Sequence, residues 1–330
     1  MRPFHYEHAA DRAQALSLAA APNTHYLAGG TTLVDLMKLD VMRPATVVDI
    51  NALAHDHSEI AAERDRLRLG ALARMSDVAE DPSVRRDYPM IAQSLDLAAS
   101  PQIRNMASLG GNVLQRTRCP YFRDTHWTAC NKRKPGSGCA AIEGINRKLA
   151  VLGVSNQCIA NYPGDFATAL AALDATVDVE SLAGRRVVAF EDLHRLPGDT
   201  PQVETSLKPG ELITGFSVPA GPWTRRSLYL KVRDRQSYEF ALASAAIALD
   251  LDGGAVRTAR IGLGGVAAKP WRSHAAETAL QGRPIDETSA RAAADAAFAG
   301  ATTHGQNAFR VELGKRTLVR ALLQAATMEV

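Results

Sequence analysis

All four cysteines of this 330-residue chain, Cys119, Cys130, Cys139 and Cys158, fall between positions 119 and 158. Three of them lie in residues 115–144, where no hydrophobic period can be traced. That stretch also holds Pro120, Pro135, Gly136, Gly138 and Gly144, and the basic residues Arg116, Arg118, Arg123, Lys132, Arg133 and Lys134. A connection of this length without periodicity is uncommon inside a compact domain and calls for either a function or disorder. Thiols spread through it favour order imposed by a metal or a cluster. Paired disulfides suit small secreted domains, whereas a chain this long can bury a full core. The N-terminus, Met1-Arg2-Pro3-Phe4-His5-Tyr6-Glu7-His8, lacks the apolar segment of an export signal.

The length predicts two domains, or three small ones, at about 150 residues each. Lys and Arg number 38 against 35 Asp and Glu, and the net charge of +3 is too small to argue for a nucleic-acid partner or membrane-surface binding. No apolar run approaches the roughly 18 residues of a spanning helix, so no membrane span is expected. On its own sequence the chain reads as cytoplasmic.

Residues before 115 alternate β-like and helix-like runs. Strands are expected at 25–28, 46–50 and 67–71 and helices at 32–39 and 90–99, while Ser76-Asp77-Val78-Ala79-Glu80 opens on a helix-capping pattern. Such alternation predicts an α/β domain whose backbone turns carry the ligand contacts. After Cys158 the pattern predicts a helix at 165–173, strands at 176–180, 187–190 and 211–218, and a loop over 194–208. Gly221-Pro222 marks a boundary. Strands at 227–231 and 255–263 and alanine-rich helices at 275–281, 287–297 and 313–326 then form an α+β unit. The expected organisation is a domain over 1–221, carrying an insertion at about 115–160, followed by a domain over 222–330.

Two glycine turns stand out in the first domain. Ala28-Gly29-Gly30-Thr31-Thr32-Leu33 joins a strand to a helix, and Ser108-Leu109-Gly110-Gly111-Asn112-Val113 repeats its chemistry after Arg104 and Asn105. Glycines permit φ > 0 and close backbone approach, successive N–H groups can point into such a turn, and a helix start favours negative charge. Either turn alone is also compatible with a plain tight connection; the pair suits a diphosphate gripped from both sides. No third glycine follows at the Rossmann spacing. A further run, Gly262-Leu263-Gly264-Gly265, precedes no helix and reads as a close-packed strand end.

These two turns, in this order, resemble the FAD-binding subunits of molybdenum hydroxylases, the xanthine dehydrogenase, aldehyde oxidase and carbon monoxide dehydrogenase group. Gly264-Gly265-Val266-Ala267-Ala268-Lys269-Pro270-Trp271-Arg272 resembles their closing domain, so the resemblance covers essentially the whole chain. It implies an FAD-binding domain of the PCMH/vanillyl-alcohol-oxidase-like type in two subdomains, followed by the smaller α+β domain of carbon monoxide dehydrogenase flavoprotein subunits. Gln115-Arg116-Thr117-Arg118-Cys119-Pro120-Tyr121-Phe122, Cys130-Asn131-Lys132-Arg133 and Pro135-Gly136-Ser137-Gly138-Cys139-Ala140-Ala141 resemble the insertion of certain bacterial heterotrimeric aldehyde oxidoreductases. In those flavin subunits the insertion holds a [4Fe-4S] cluster with a fourth cysteine downstream, the position of Cys158. Carried over residue by residue, the resemblance implies FAD contacts from Leu27, Ala28, Gly29, Gly30, Thr31, Thr32, Leu33 and Val34. It adds Ser108, Gly111, Asn112, Asp165, Leu212, Ile213 and Lys231. Without it, Asp165 reads as a helix N-cap and Lys231 as a solvated strand residue.

The cysteines, taken on their own chemistry, leave three readings open. The intervals of ten, eight and eighteen residues match neither ferredoxin runs nor zinc knuckles, and four thiolates suit tetrahedral zinc, an iron–sulfur cube or free thiols alike. The basic residues around them would offset a cluster's negative charge and raise its potential, or would serve as a docking face. His126 reads as a loop histidine rather than a substitute ligand. No His-Glu-x-x-His or Gly-x-Ser-x-Gly pattern supports a hydrolase.

The resemblance therefore implies an electron-transfer subunit with FAD and a [4Fe-4S] cluster and no catalytic base of its own. It also implies a molybdenum-cofactor subunit, a [2Fe-2S] subunit and an external electron acceptor as partners. Folded export with a twin-arginine-bearing partner would place it in the periplasm. The competing readings are a zinc-stabilised scaffold and a stand-alone flavin reductase.

Overall fold

The computed structural model describes residues 1–330. A three-stranded parallel sheet comes first: β1 (His5–His8), β2 (Thr24–Leu27) and β3 (Thr46–Asp49), in the order β1-β3-β2. β1 escapes the sequence pattern because all four of its residues are exposed. Its parallel ladder to β3 and the bond from Tyr6 Oη to Asp49 Oδ2 (2.6 Å) hold it in place.

The second sheet is antiparallel, in the order β4-β5-β8-β6-β7, built from β4 (Ile60–Ala62), β5 (Arg66–Gly70), β6 (Thr176–Ser181), β7 (Gly184–Ala189) and β8 (Leu212–Pro219). β5 alternates exposed Arg66 and Arg68 with buried Leu67 and Leu69, the period of two that turns one face inward. The leucines meet Val78, Ile91, Leu95, Phe166 and Leu170 from the helices Met75–Glu80, Pro89–Asp96 and Asp165–Ala172 in the largest core.

A third sheet, antiparallel and ordered β12-β11-β10-β9, comprises β9 (Ser227–Val232), β10 (Ala243–Asp252), β11 (Ala255–Gly264) and β12 (Trp271–Arg272). It is buried on both faces. Ala245, Ile247 and Leu249 join a second core with the helices Glu287–Phe298 and Phe309–Ala326, whereas Ala246 and Ala248 join the first. Small residues on the latter face let the helix Asp165–Ala172 come close. A Cβ on Gly262 would stand 2.6 Å from the Thr168 carbonyl oxygen, and one on Gly264 would stand 2.6 Å from Thr168 Oγ1. The third glycine run is thus a packing device. The wholly buried Arg310 ties the layers together, donating to the carbonyls of Leu149, Leu242 and Gly265.

Three local expectations need correction. The helix read from Ser76 starts at Met75 with Arg74 as an uncapped N-cap, and Ser76 Oγ bonds Asp77 instead. The helix expected over 90–99 ends at Asp96, and Ala99 turns left-handed at φ 48°. The strand expected at 187–190 is a hairpin partner spanning Gly184–Ala189, with Phe190 opening a helical turn.

The insertion carries a single short helix, Pro120–Arg123, and an isolated bridge between Cys130 and Cys139. Side chains give it order. Asn131 accepts from the Gly138 amide and donates to Gln157 Oε1, both at 2.8 Å. Arg118 and Arg123 both pair with Asp35 of the helix Leu33–Lys38 (3.1 and 2.8 Å), which anchors the insertion behind the first glycine turn. No helix is long and apolar enough to cross a membrane.

Candidate functional site

The parallel sheet, the two glycine turns and the start of β8 enclose a cleft of about 680 Å³. Leu27, Ala28, Gly29, Gly30, Thr31, Thr32 and Leu33 line it in an unbroken run, and Ser108, Gly111, Leu212 and Ile213 line it from the other side. In the first turn Gly30 adopts φ +72°, and the amides of Gly29, Gly30, Thr31 and Thr32 donate to no acceptor within the protein. These four residues are half-buried where they line the cleft, so a row of unspent N–H groups there can serve an anionic or carbonyl-rich ligand.

The second turn is built differently. The amides of Leu109 and Gly110 are spent on the carbonyls of Ala73 and Ala71, and that of Gly111 on Ser108 Oγ, which caps the short helix Leu109–Val113. Gly110 serves packing, lying against Ala71, and the first turn closes on the residues that lead into the second: a Cβ on Gly29 would stand 1.9 Å from the Met106 carbonyl oxygen. The two turns therefore touch, but only the first offers a row of free donors. The symmetrical grip expected from sequence becomes one donor turn braced by one packing turn.

Four nominated residues lie off this cleft. Val34 packs beside Gly30. Asn112 directs its Nδ2 to Met75 Sδ (3.3 Å) and keeps a buried Oδ1 without a partner. Asp165 and Lys231 form an ion pair at 2.8 Å with side chains 4% and 1% exposed. Asp165 also accepts from Tyr229 Oη (2.7 Å), and Lys231 donates to the Leu97 carbonyl (3.0 Å). Asp165 is accordingly not an N-cap, a position Gly164 holds, and Lys231 is not solvated.

Cys119, Cys130, Cys139 and Cys158 line one small pocket together with Tyr121, Phe122 and Lys132. Burial pushes the Cys119 thiol up to about 12 and the Cys158 thiol to about 11, the latter opposed by the Lys132 ammonium. A metal group bound here would have to displace those protons. His126 points away to Asp124 and is almost fully exposed, as a loop histidine.

Between cleft and pocket stands a group that sequence reasoning did not single out. Glu204 pairs with Lys132 Nζ (2.6 Å) and Arg116 Nε (2.7 Å). Burial alone would raise its pKa; the two cations outweigh that and hold it below the usual range. The only sequence cue was local basic density, since Glu204 lies 88 residues from Arg116.

A parallel three-stranded sheet and an antiparallel five-stranded sheet meeting at a donor-rich cleft, with a four-stranded sheet and its helices appended, define a flavin-binding subunit. The family model described as the FAD binding domain in molybdopterin dehydrogenase matches residues 2–221, and that of the CO dehydrogenase flavoprotein C-terminal domain matches 228–325. The chain belongs to the FAD-binding subunits of the molybdenum hydroxylases and is an oxidoreductase subunit. It is 45% identical over 327 residues to the aldehyde oxidoreductase FAD-binding subunit PaoB of Escherichia coli (strain K12), covering 98% of this chain and 99% of that protein. It is 27% identical over 303 residues to the carbon monoxide dehydrogenase medium chain of Afipia carboxidovorans, covering 91% and 88%. Among solved structures, quinoline 2-oxidoreductase from Pseudomonas putida 86 superposes with a TM-score of 0.75 at 25% identity, covering 98% and 97%. Reconstituted CO dehydrogenase from Oligotropha carboxidovorans shares the fold with a TM-score of 0.78, covering 99% of each chain.

Proposed function

We propose that this chain is the electron-transfer subunit of a molybdenum-dependent aldehyde oxidoreductase, holding FAD in the glycine-turn cleft and a [4Fe-4S] cluster among Cys119, Cys130, Cys139 and Cys158. One observation carries the cluster: residues spread over a long aperiodic insertion converge so that all four thiols line a single pocket. The family match itself speaks to FAD alone. No three His, Cys, Asp or Glu side chains of the chain stand as ligands of one ion, so the placement of the thiols alone favours neither zinc nor a cluster; the resemblance of the insertion to that of the heterotrimeric aldehyde oxidoreductases favours the cluster.

FAD exchanges one or two electrons and a cluster one, so together they link a two-electron oxidation to an external acceptor. Here the chain's residues supply the framework. Gly29, Gly30, Thr31 and Thr32 offer their amides to the diphosphate, while Leu27, Ala28, Leu33, Ser108, Gly111, Leu212 and Ile213 shape the walls. Val34 and Asn112 support the two turns from behind. Asp165 and Lys231 act one step removed, their buried pair joining the start of the helix Asp165–Ala172 to β9. The substrate chemistry falls to a molybdenum-cofactor subunit, with a [2Fe-2S] subunit relaying electrons. The similarity to an aldehyde oxidoreductase subunit over nearly the full length supports the aldehyde class. The same reading sets the domain boundary at 221/222 and places the complex in the cytoplasm, or in the periplasm by export with a signal-bearing partner.

Cys130→Ser tests the assignment. Iron per chain should fall sharply while FAD is largely kept, because Cys130 lies outside the cleft. Full iron retention would contradict ligation by this residue.

A further inference from the structure

Of the six basic residues between positions 115 and 144, five are committed elsewhere or face solvent. Arg118 and Arg123 are paired with Asp35. Arg133 donates to the carbonyls of Tyr121 and Trp127, and Lys134 is exposed. Arg116 reaches the FAD cleft. Lys132 alone lines the cysteine pocket, with its side chain 11% exposed. Its ammonium is held from the far side by Glu204 Oε1 and by the Pro201 carbonyl (2.9 Å). The other oxygen of Glu204 takes Arg116, whose guanidinium lies 4.5 Å over the ring of Phe122, itself a wall of the cysteine pocket. Glu204 thus lines the cleft, and the row Arg116–Glu204–Lys132 is the material between the two sites.

We propose that Lys132 sets the reduction potential of the group held by the four cysteines, and that Glu204 is the positioning residue that holds Lys132 against the pocket and Arg116 against the cleft. The inference rests on the cluster reading above. Lys132 places a fixed positive charge beside a centre that gains negative charge on reduction, and a half-buried charge at close range is screened far less than a surface one. Two cations on one carboxylate leave a net positive charge between the sites. Removing the ammonium disfavours the reduced state, whereas Glu204→Gln, whose amide oxygen can still accept from Lys132 Nζ, keeps the ammonium in place and removes only the opposing negative charge, which favours it. Opposite signs from neighbouring substitutions are a signature that general loosening of the insertion cannot produce.

The experiment is a redox titration of the cluster by low-temperature EPR in the protein as isolated, with iron counted per chain, for wild type, Lys132→Gln, Lys132→Arg and Glu204→Gln. Lys132→Gln should keep its iron and shift the one-electron equilibrium about tenfold toward the oxidised form, ~59 mV downward for one electron. Lys132→Arg should stay near wild type, and Glu204→Gln should shift upward. An unchanged midpoint in Lys132→Gln with iron retained overturns the proposal. If Lys132→Gln loses its iron, the sign in Glu204→Gln decides: a rise supports the proposal, and no change or a fall overturns it. A wild-type chain without iron instead refutes the cluster reading itself, so the two failures are told apart by iron content.

Discussion

Replacing Gly29 by alanine puts the contact between the two glycine turns under direct load. The new Cβ would stand 1.9 Å from the Met106 carbonyl oxygen, against the 3.4 Å at which ordinary contact begins, so the turns must separate by 3.4 − 1.9, about 1.5 Å. Neither side yields freely. The Met106 carbonyl accepts from Arg74 Nη1, Arg74 also reaches Asn51 Oδ1, and Asn51 Nδ2 donates to the Ala28 carbonyl (3.1 Å). Overpacking a site of this kind costs about 1–3 kcal/mol. The larger effect is on the free amides of residues 29–32, which move with the turn, and hydrogen bonds weaken steeply over a displacement of that size. We expect the Gly29→Ala protein to melt several degrees lower and to be isolated with most of its FAD lost, as read by thermal denaturation and by absorbance of released flavin per chain. Gly300→Ala is the control, because no neighbour lies within 4 Å of a Cβ there. Stoichiometric FAD in Gly29→Ala with unchanged melting would refute the view that the two turns form one braced unit. A lowered melting point with FAD fully kept would leave the bracing intact and remove the turn from the cofactor site.

Two further substitutions address the frame. Lys231→Met strands the Asp165 carboxylate in a site where only Tyr229 still donates to it, and breaking a buried pair in this way costs about 3–5 kcal/mol; chemical denaturation should show that loss, and a loss below about 1 kcal/mol would contradict the pairing. The double change Asp165→Leu with Lys231→Met should cost less than the sum of the singles. Burial lowers His194 from 6.5 to about 4, so it is neutral in the folded protein. Its contribution is therefore fully present above pH 6.5 and is lost as pH falls toward about 4, where the unfolded chain binds a proton that the folded chain refuses. His194→Gln should flatten the melting-temperature profile between those values, and a profile that keeps its slope would assign the acid sensitivity to other groups.

Local signals were legible where one short segment contains its own cause. Leucines alternating with arginines announced β5, and the first glycine turn was readable because a strand, two glycines and two threonines follow one another directly. The same reading could not tell that Gly110 packs against Ala71 while Gly30 bends, since both are simply glycine until the neighbour is known. Alanine-rich β10 is a strand because sheets and helices cover both its faces, a tertiary cause that overrides propensity. The pairing of Asp165 with Lys231 and the roles of Glu204 and Arg310 were not legible for one reason. Each of these residues is a charge satisfied by partners tens of residues away, and sequence spacing carries no trace of such pairings. The thiols were legible as a cluster along the chain, and their convergence on one pocket required the fold.

The central claim is that one chain carries both a flavin and an iron–sulfur centre. Its most direct test is the absorption spectrum of the protein as isolated, combined with quantification of FAD, iron and zinc per chain. Flavin bands on a broad iron–sulfur shoulder are expected, with FAD near one and iron near four per chain. A yellow protein with flavin but no iron would contradict the cluster, and a colourless protein containing zinc would contradict both cofactors.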